Sequence, residues 1–241
     1  MAGLREAQKR MTRQLLLDSA LGLFRAKGYA ATTVDDIAAA AGTTRVTFYA
    51  YFPSRSDLMR ALIGELNEKL ERVDSPARRS TARRLVEVVQ DGSREAITEW
   101  LYDISGRWDS VRPHLVAAFE AAAVDPDLRG LVNAWLDEAV SDVEEGLHRA
   151  GRFAPDSRHL RGVLVIAQLD HVARNWTPGR WKADREAMID ILAESWTGLL
   201  SDGTAQSPEQ EQEQEQEQEQ EQEQEQEQEQ AQTQAPAPDQ P

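Results

Sequence analysis

Through most of the first 200 residues, apolar side chains recur three and four positions apart, the period of helices that bury one face. No stretch shows the strict alternation of a half-buried strand, so the pattern predicts an all-α chain. Leu16, Ala20, Leu23 and Phe24 mark a first helix over about 12–27, stopped by Gly28. Two short helices follow, over about 34–40 and 44–50. A long one then runs from Ser54 to about Val73, with Leu58, Leu62, Leu66 and Leu70 at every fourth position. Beyond it the pattern predicts a helix opening at Ser75-Pro76 and others over about 93–108, 112–124, 126–150, 156–175 and 183–200. The helix after Arg112-Pro113 is expected to turn Leu115, Val116, Phe119 and Ala123 inward. The last two helices are too apolar to pack on one side only. The expected architecture is about nine helices in two regions.

Local signals punctuate the elements. Thr33 followed by Asp36 supplies a side-chain oxygen to an unpaired N–H and starts the helix at Val34. Gly42 sits where the chain must turn, and glycine takes conformations that other residues resist. Pro53 pushes Phe52 out of helical geometry, and Ser54 with Asp57 repeats the capping pattern. Two short helices joined by a glycine turn form a helix-turn-helix, the unit that lays its second helix in the DNA major groove. Leu16, Ala20 and Phe24 are expected to pack on Ile37 and Phe48, with Tyr29 also in that core.

The second short helix carries candidate DNA contacts. Thr43, Thr44, Arg45 and Thr47 present hydroxyls and a guanidinium around its first turn, where base edges are met. Thr33, Tyr49, Tyr51 and Arg55 can donate to phosphates. Val46, Phe48 and Phe52 offer apolar surface to the core or to a thymine methyl. The other reading of the pattern is a plain helical hairpin with its polar residues in water. Residues from Arg13 to about Ile63 resemble the DNA-binding domain of the tetracycline-repressor (TetR) family, through LLLDSALGLFRAKGYAATTVDDIAAAAG, TTRVTFYAYF and PSRSDL in family order. The resemblance implies a dimeric, all-helical, ligand-responsive repressor of a palindromic double-stranded DNA operator. It also implies that the last two long helices pair with those of a second subunit, and that the helix opening at Ser54 changes its angle when ligand binds. Two positions depart from the family pattern. Val46 stands where a small residue, often glycine, is common and would crowd the DNA, and Arg55 stands where lysine is common.

Charge sharpens this picture. The formal net charge is −15, yet 13 of the 42 acids lie in residues 201–241, which hold no Lys or Arg. Residues 1–60 have nine basic residues against five acids, so a mildly basic head precedes a near-neutral body and an acidic tail. The expected division is a polar N-terminal arm over 1–12, the helix-turn-helix domain over 13–59, a helical ligand-binding and dimerisation domain over 60–201, and a disordered tail over 202–241 built on strict Glu-Gln alternation. Arg5, Lys9 and Arg10 of the arm can reach the minor groove or backbone, or simply face water. The absence of cysteine fits a reducing cytoplasm, and no secretory signal or membrane span is expected.

Little points to catalysis. The four histidines lack metal-ligand spacing with one another, and the single Glu145-x-x-His148 is half of what a di-iron bundle needs. No phosphate loop, GxSxG or HExxH is present, so neither a metal, a cofactor nor an enzymatic role is expected. Asp170-His171 sits inside an apolar helix, where His171 reads as a buried, hydrogen-bonded histidine and not a catalytic one. All six tryptophans lie beyond residue 99, and small-molecule sites are largely apolar and aromatic. Trp100, Tyr102, Trp108, His114, Phe119, Trp135, His171 and Trp176 are therefore candidate lining for a small-molecule effector site, one that the resemblance implies. The alternatives are a constitutive DNA-binding regulator without effector, and a helical carrier or enzyme with a vestigial head.

Overall fold

A computed structural model describes residues 2–72, 81–177 and 179–202. Among them are ten helices and no strand: α1 (Ala2–Lys27), α2 (Val34–Ala40), α3 (Arg45–Tyr51), α4 (Arg55–Lys69), α5 (Thr81–Asp91), α6 (Arg94–Ser105), α7 (Trp108–Val124), α8 (Pro126–Arg149), α9 (Pro155–Asn175) and α10 (Arg185–Leu200). The all-α expectation holds among the described residues. The expected start at Ser75-Pro76, the neighbouring Arg78 and Arg79, and the Glu-Gln tail from 203 onward lie outside the described residues.

Two helices begin earlier than the apolar period indicated. Residues 2–12 continue α1 as helix instead of forming an arm. The stretch is rich in good helix formers, and its outward Leu4 and Met11 gave no buried face for a period to register. Helix α7 starts before Arg112-Pro113, with Pro113 inside it. Burial of Trp108 and Val111 in its first turn offsets the missing proline N–H. The inward face of α7 also differs from expectation. Val116 and Ala123 are exposed, whereas Val111, His114, Leu115, Ala117, Ala118, Ala121 and Ala122 are buried. Large apolar residues misdirected the reading because the face that packs consists mainly of alanines.

Two apolar clusters organise the molecule. In the head, Leu16, Leu17, Ala20 and Phe24 of α1 meet Ile37, Phe48, Phe52, Leu58 and Leu62, with Tyr29 against Phe24 at 5.1 Å. Ala117, Ala118, Ala121 and Ala122 of α7, with Leu128 and Val132 of α8, belong to this same cluster. In the body, Trp100 stacks on Trp196 at 5.6 Å, among Leu101, Ile104, Val143, Leu147, Ile189 and Leu192. Helix α4 passes between the clusters, with Ile63 in the first and Leu66 in the second.

Polar clips tie the head to α7 and α8. The Tyr29 amide donates to Glu120 at 3.1 Å, and Ser56 donates to Asp125 at 2.6 Å. Gln14 of α1 donates to Glu65 of α4 at 2.9 Å, and the buried His114 ring of α7 faces the same carboxylate at 3.4 Å. The His114 hydrogen bond is the main influence holding the Glu65 carboxyl below its usual range.

In the body, α5 and α8 approach closely at Gly146, where an added Cβ would lie 2.6 Å from Val89 Cβ and 2.8 Å from the Val86 carbonyl oxygen. Gly146→Ala is therefore expected to destabilise the protein by about 1–3 kcal/mol, the usual range for overpacking, despite the better helix propensity of alanine. Urea unfolding should show a lower midpoint at unchanged slope.

Candidate nucleic-acid interface

The α2–α3 unit is fixed at each corner by a short-range hydrogen bond. Thr33 caps α2: its hydroxyl accepts from the Asp36 amide at 3.1 Å, while the Asp36 carboxylate accepts from the Thr33 amide at 2.8 Å. Lys27 pairs with that carboxylate at 2.7 Å. The Lys27 ammonium, then the Thr33 amide and hydroxyl, hold Asp36 far below the ordinary carboxylate range. After α2, Gly42 takes a φ of 64°, and the Thr43 amide returns to the Ala38 carbonyl at 2.9 Å. Thr44 then caps α3, its hydroxyl accepting from the Thr47 amide at 3.2 Å and lying 3.0 Å from the Thr47 hydroxyl.

One buried side chain sets the orientation of α3. Phe48 is fully enclosed, edge-on to Tyr49 at 5.5 Å and 5.9 Å from Phe52. With Phe48 and Phe52 inward, Thr44, Arg45, Val46 and Tyr49 are exposed, while Thr43, Thr47 and Tyr51 are half-buried. Val46 is 81% exposed, so it plays no part in the core and forms the apolar part of this face. Arg45 donates to Asp35 at 3.0 Å and to the Tyr49 hydroxyl at 3.4 Å. Such exposed pairs contribute about 0–1 kcal/mol, so the guanidinium can exchange these partners for a base edge at little cost.

Two features differ from the sequence reading. Arg55 was expected as a phosphate donor. Its guanidinium instead lies 4.1 Å over the Tyr29 ring and donates to the Tyr29 carbonyl at 3.0 Å and to the Thr32 carbonyl. It braces the α1–α2 loop and so positions α2. Conversely, Arg5, Lys9 and Thr12 of α1 wall an open groove whose other side is Thr43, Thr47 and Tyr51. The helical continuation of α1 brings these cations beside α3. The unbroken run of helix formers before Thr12 was the signal for it.

The candidate effector residues divide. Trp100, Trp108 and Trp135 line one cavity of about 90 Å³ in the body, with Leu70, Leu115, Ile166 and other apolar groups. Tyr102, His114, Phe119, His171 and Trp176 do not line it. Tyr102 lies under Arg185, Phe119 lies under Arg174, and His114 faces Glu65. His171 is exposed and stacks on Trp181 at 6.2 Å, contrary to the buried histidine expected there. Trp176 is buried against Trp181 at 5.7 Å. Arg72, Asp142 and Asp170 line the cavity and were not anticipated, because each belongs to a different helix end or face. Among the described residues no three His, Asp or Glu side chains converge as a metal site, and no helix is long and apolar enough to cross a membrane. Glu145 pairs with Arg149 and His148 with Arg158, so the lone Glu-x-x-His points to no shared centre.

Residues 16–62 match the family model described as bacterial regulatory proteins, tetR family. The chain is 48% identical over 63 residues to the HTH-type transcriptional regulator AcrR of Shigella flexneri, covering 26% of this chain and 28% of that one. It is 39% identical over 66 residues to the HTH-type transcriptional regulator TcmR of Streptomyces glaucescens, covering 27% and 29%. The match thus spans less than a third of either relative's length. Over the whole fold, NalD of Pseudomonas aeruginosa, described as the secondary repressor of a multidrug efflux pump, superposes with a TM-score of 0.57 at 20% identity, covering 80% of this chain and 99% of that one. A TetR-like regulator from Rhodococcus sp. RHA1 gives a TM-score of 0.55 at 20% identity, covering 81% and 97%.

The cap at α2 has a pH signature. Asp36 is depressed in the folded state, so its contribution is present above the unfolded carboxylate pKa of about 4 and is lost as pH falls below that. Asp36→Asn should flatten the acid side of the stability curve, reducing melting temperature at pH 7 more than at pH 2. Melting of both proteins across that range checks it.

Proposed function

We propose that this chain, a member of the TetR family of bacterial regulators, is a cytoplasmic, ligand-responsive transcriptional repressor that binds a palindromic operator as a homodimer. The orientation of α3 carries the proposal: Phe48 anchors one face in the head, and Thr44, Arg45, Val46 and Tyr49 stand together on the other. A helix so anchored enters the major groove with its first turn leading. Arg45 reads a base edge, Thr44 and Thr47 follow it into the groove, and Val46 meets a thymine methyl. Thr33, Thr43, Tyr49 and Tyr51, with Arg5 and Lys9 of α1, hold the flanking phosphates. Arg55 holds the loop from which α2 departs.

The homodimer is proposed through α9 and α10. Each buries one side, yet Leu160, Val163 and Leu164 of α9 and Ile191 of α10 remain exposed at helical spacing. Pairing this face with its copy gives a two-fold axis, and two-fold symmetry suits a palindromic site. The effector is proposed to occupy the tryptophan-lined cavity. At about 90 Å³ it is smaller than the roughly 300–1,000 Å³ of small-molecule clefts, so an effector must displace its walls. That displacement is what lets ligand binding favour a non-DNA-binding arrangement.

A footprint on the DNA flanking the chain's own gene, at stated salt, tests the function. The expected result is a protected palindrome with half-sites about one helical turn or more apart. Arg45→Ala should weaken binding by about 1–3 kcal/mol and relax preference at one position in each half-site. Equal weakening on every sequence would make Arg45 a phosphate contact, and no protected site would contradict operator binding.

A further inference from the structure

The cavity is aromatic on most sides and charged on one. That charged side continues into an open groove that shares Arg72, Ala82 and Asp142 with it and adds Asp137 and Glu138. The described lining of cavity and groove therefore has one cation, Arg72, against the carboxylates of Asp137, Glu138 and Asp142. Asp170, the remaining carboxylate, is matched by Arg174 at 2.9 and 3.0 Å. Asp142 is half-buried and accepts no hydrogen bond among the described residues, and burial pushes its carboxyl up.

Arg72 occupies this site on loose terms. Its side chain is only 12% exposed, and its guanidinium lies 4.6 Å over the Trp135 ring. Its bonds to the Trp135 carbonyl are 3.3 and 3.4 Å long, and Glu138 is 3.5 Å away. These distances are at or beyond the long end of good geometry for a group removed from water. A cation over an indole face, in a cavity that also holds the Asp142 carboxylate and two further tryptophan walls, is the arrangement that recognises organic cations.

We propose that the cavity takes a small cation carried on an aromatic or apolar body, and that Arg72 is the group this ligand displaces from Trp135. The proposal rests on reading the cavity as the effector site. Asp142 supplies the counter-charge, and Trp100, Trp108 and Trp135 receive the apolar body. Arg72 follows three residues after the end of α4, the helix that carries Leu58 and Met59 into the head. Expelling its guanidinium therefore frees the body end of the helix that reaches the α2–α3 unit.

Phenyltrimethylammonium and its neutral isostere tert-butylbenzene differ in charge but not in shape, and benzenesulfonate supplies the opposite charge. Binding of each to the full-length protein is measured by calorimetry and tryptophan fluorescence. Phenyltrimethylammonium should bind about tenfold tighter than tert-butylbenzene, with benzenesulfonate weakest. Asp142→Asn should abolish the preference and Asp142→Glu retain it. Arg72→Met, which keeps the apolar stem and removes the competing cation, should tighten phenyltrimethylammonium binding by about tenfold. The proposal is overturned if none of the three binds, if the neutral or anionic compound binds as well as the cation, or if Asp142→Asn changes nothing. Operator affinity measured with phenyltrimethylammonium separates the two readings. Binding that preserves the charge preference but leaves operator affinity unchanged upholds the ligand class and overturns the ligand-responsive function.

Discussion

The small-residue face of α7 is the constraint on which the molecule depends. Ala117, Ala118, Ala121 and Ala122 let α1 and α4 approach closely, since the distance between packed helices is set by the side chains at the contact. Head and body consequently share apolar surface instead of meeting across a polar linker. A larger residue on this face would force the helices apart, and a polar one would leave a buried group without a partner. The Glu120 and Asp125 clips act at the edge of the same contact, where they fix its register. The described residues up to Leu200 form one compact unit, as this shared surface requires.

Sharing α7 also gives the cavity mechanical access to the head. The first half of α7 contributes Trp108, Val111 and Leu115 to the cavity wall, and its second half holds the head. Helix α4 spans the same two regions from the other side, from Leu58 in the head to Leu66 in the body. Displacement of the α7 wall of this cavity would be felt in the head, because packed cores shift between discrete arrangements and do not deform continuously. The His114–Glu65–Gln14 chain joins α7, α4 and α1, so relative motion of the three helices must stretch or break it.

The head was legible in the sequence because its punctuation is local. Thr33, Gly42, Pro53 and Ser54 each act within a few residues, and the structure shows the caps and turn they announce. The packing of Leu16, Ala20 and Phe24 on Ile37 and Phe48 followed from period alone. What escaped was tertiary. Arg55 carries the signature of a phosphate donor, but the Tyr29 and Thr32 carbonyls converge on it from a loop 26 and 23 residues earlier. The α7 face was misread because alanine is weak evidence of burial in a sequence, although it is the residue that permits close approach. Of the four tryptophans named as candidate lining, Trp100, Trp108 and Trp135 share a cavity and Trp176 does not, and the polar Arg72 and Asp142 beside them carry no motif.

If head and body are held by one core through α7, they unfold together. Native-state amide hydrogen exchange tests this directly, because cooperative units exchange with a common free energy. The account predicts that the most protected amides of α1 and α4 in the head reach the same opening free energy as those of α7 and respond to denaturant with the same slope. Head amides that exchange through a separate, less costly opening, while α7 stays protected, would show an independently folding head and contradict the shared core.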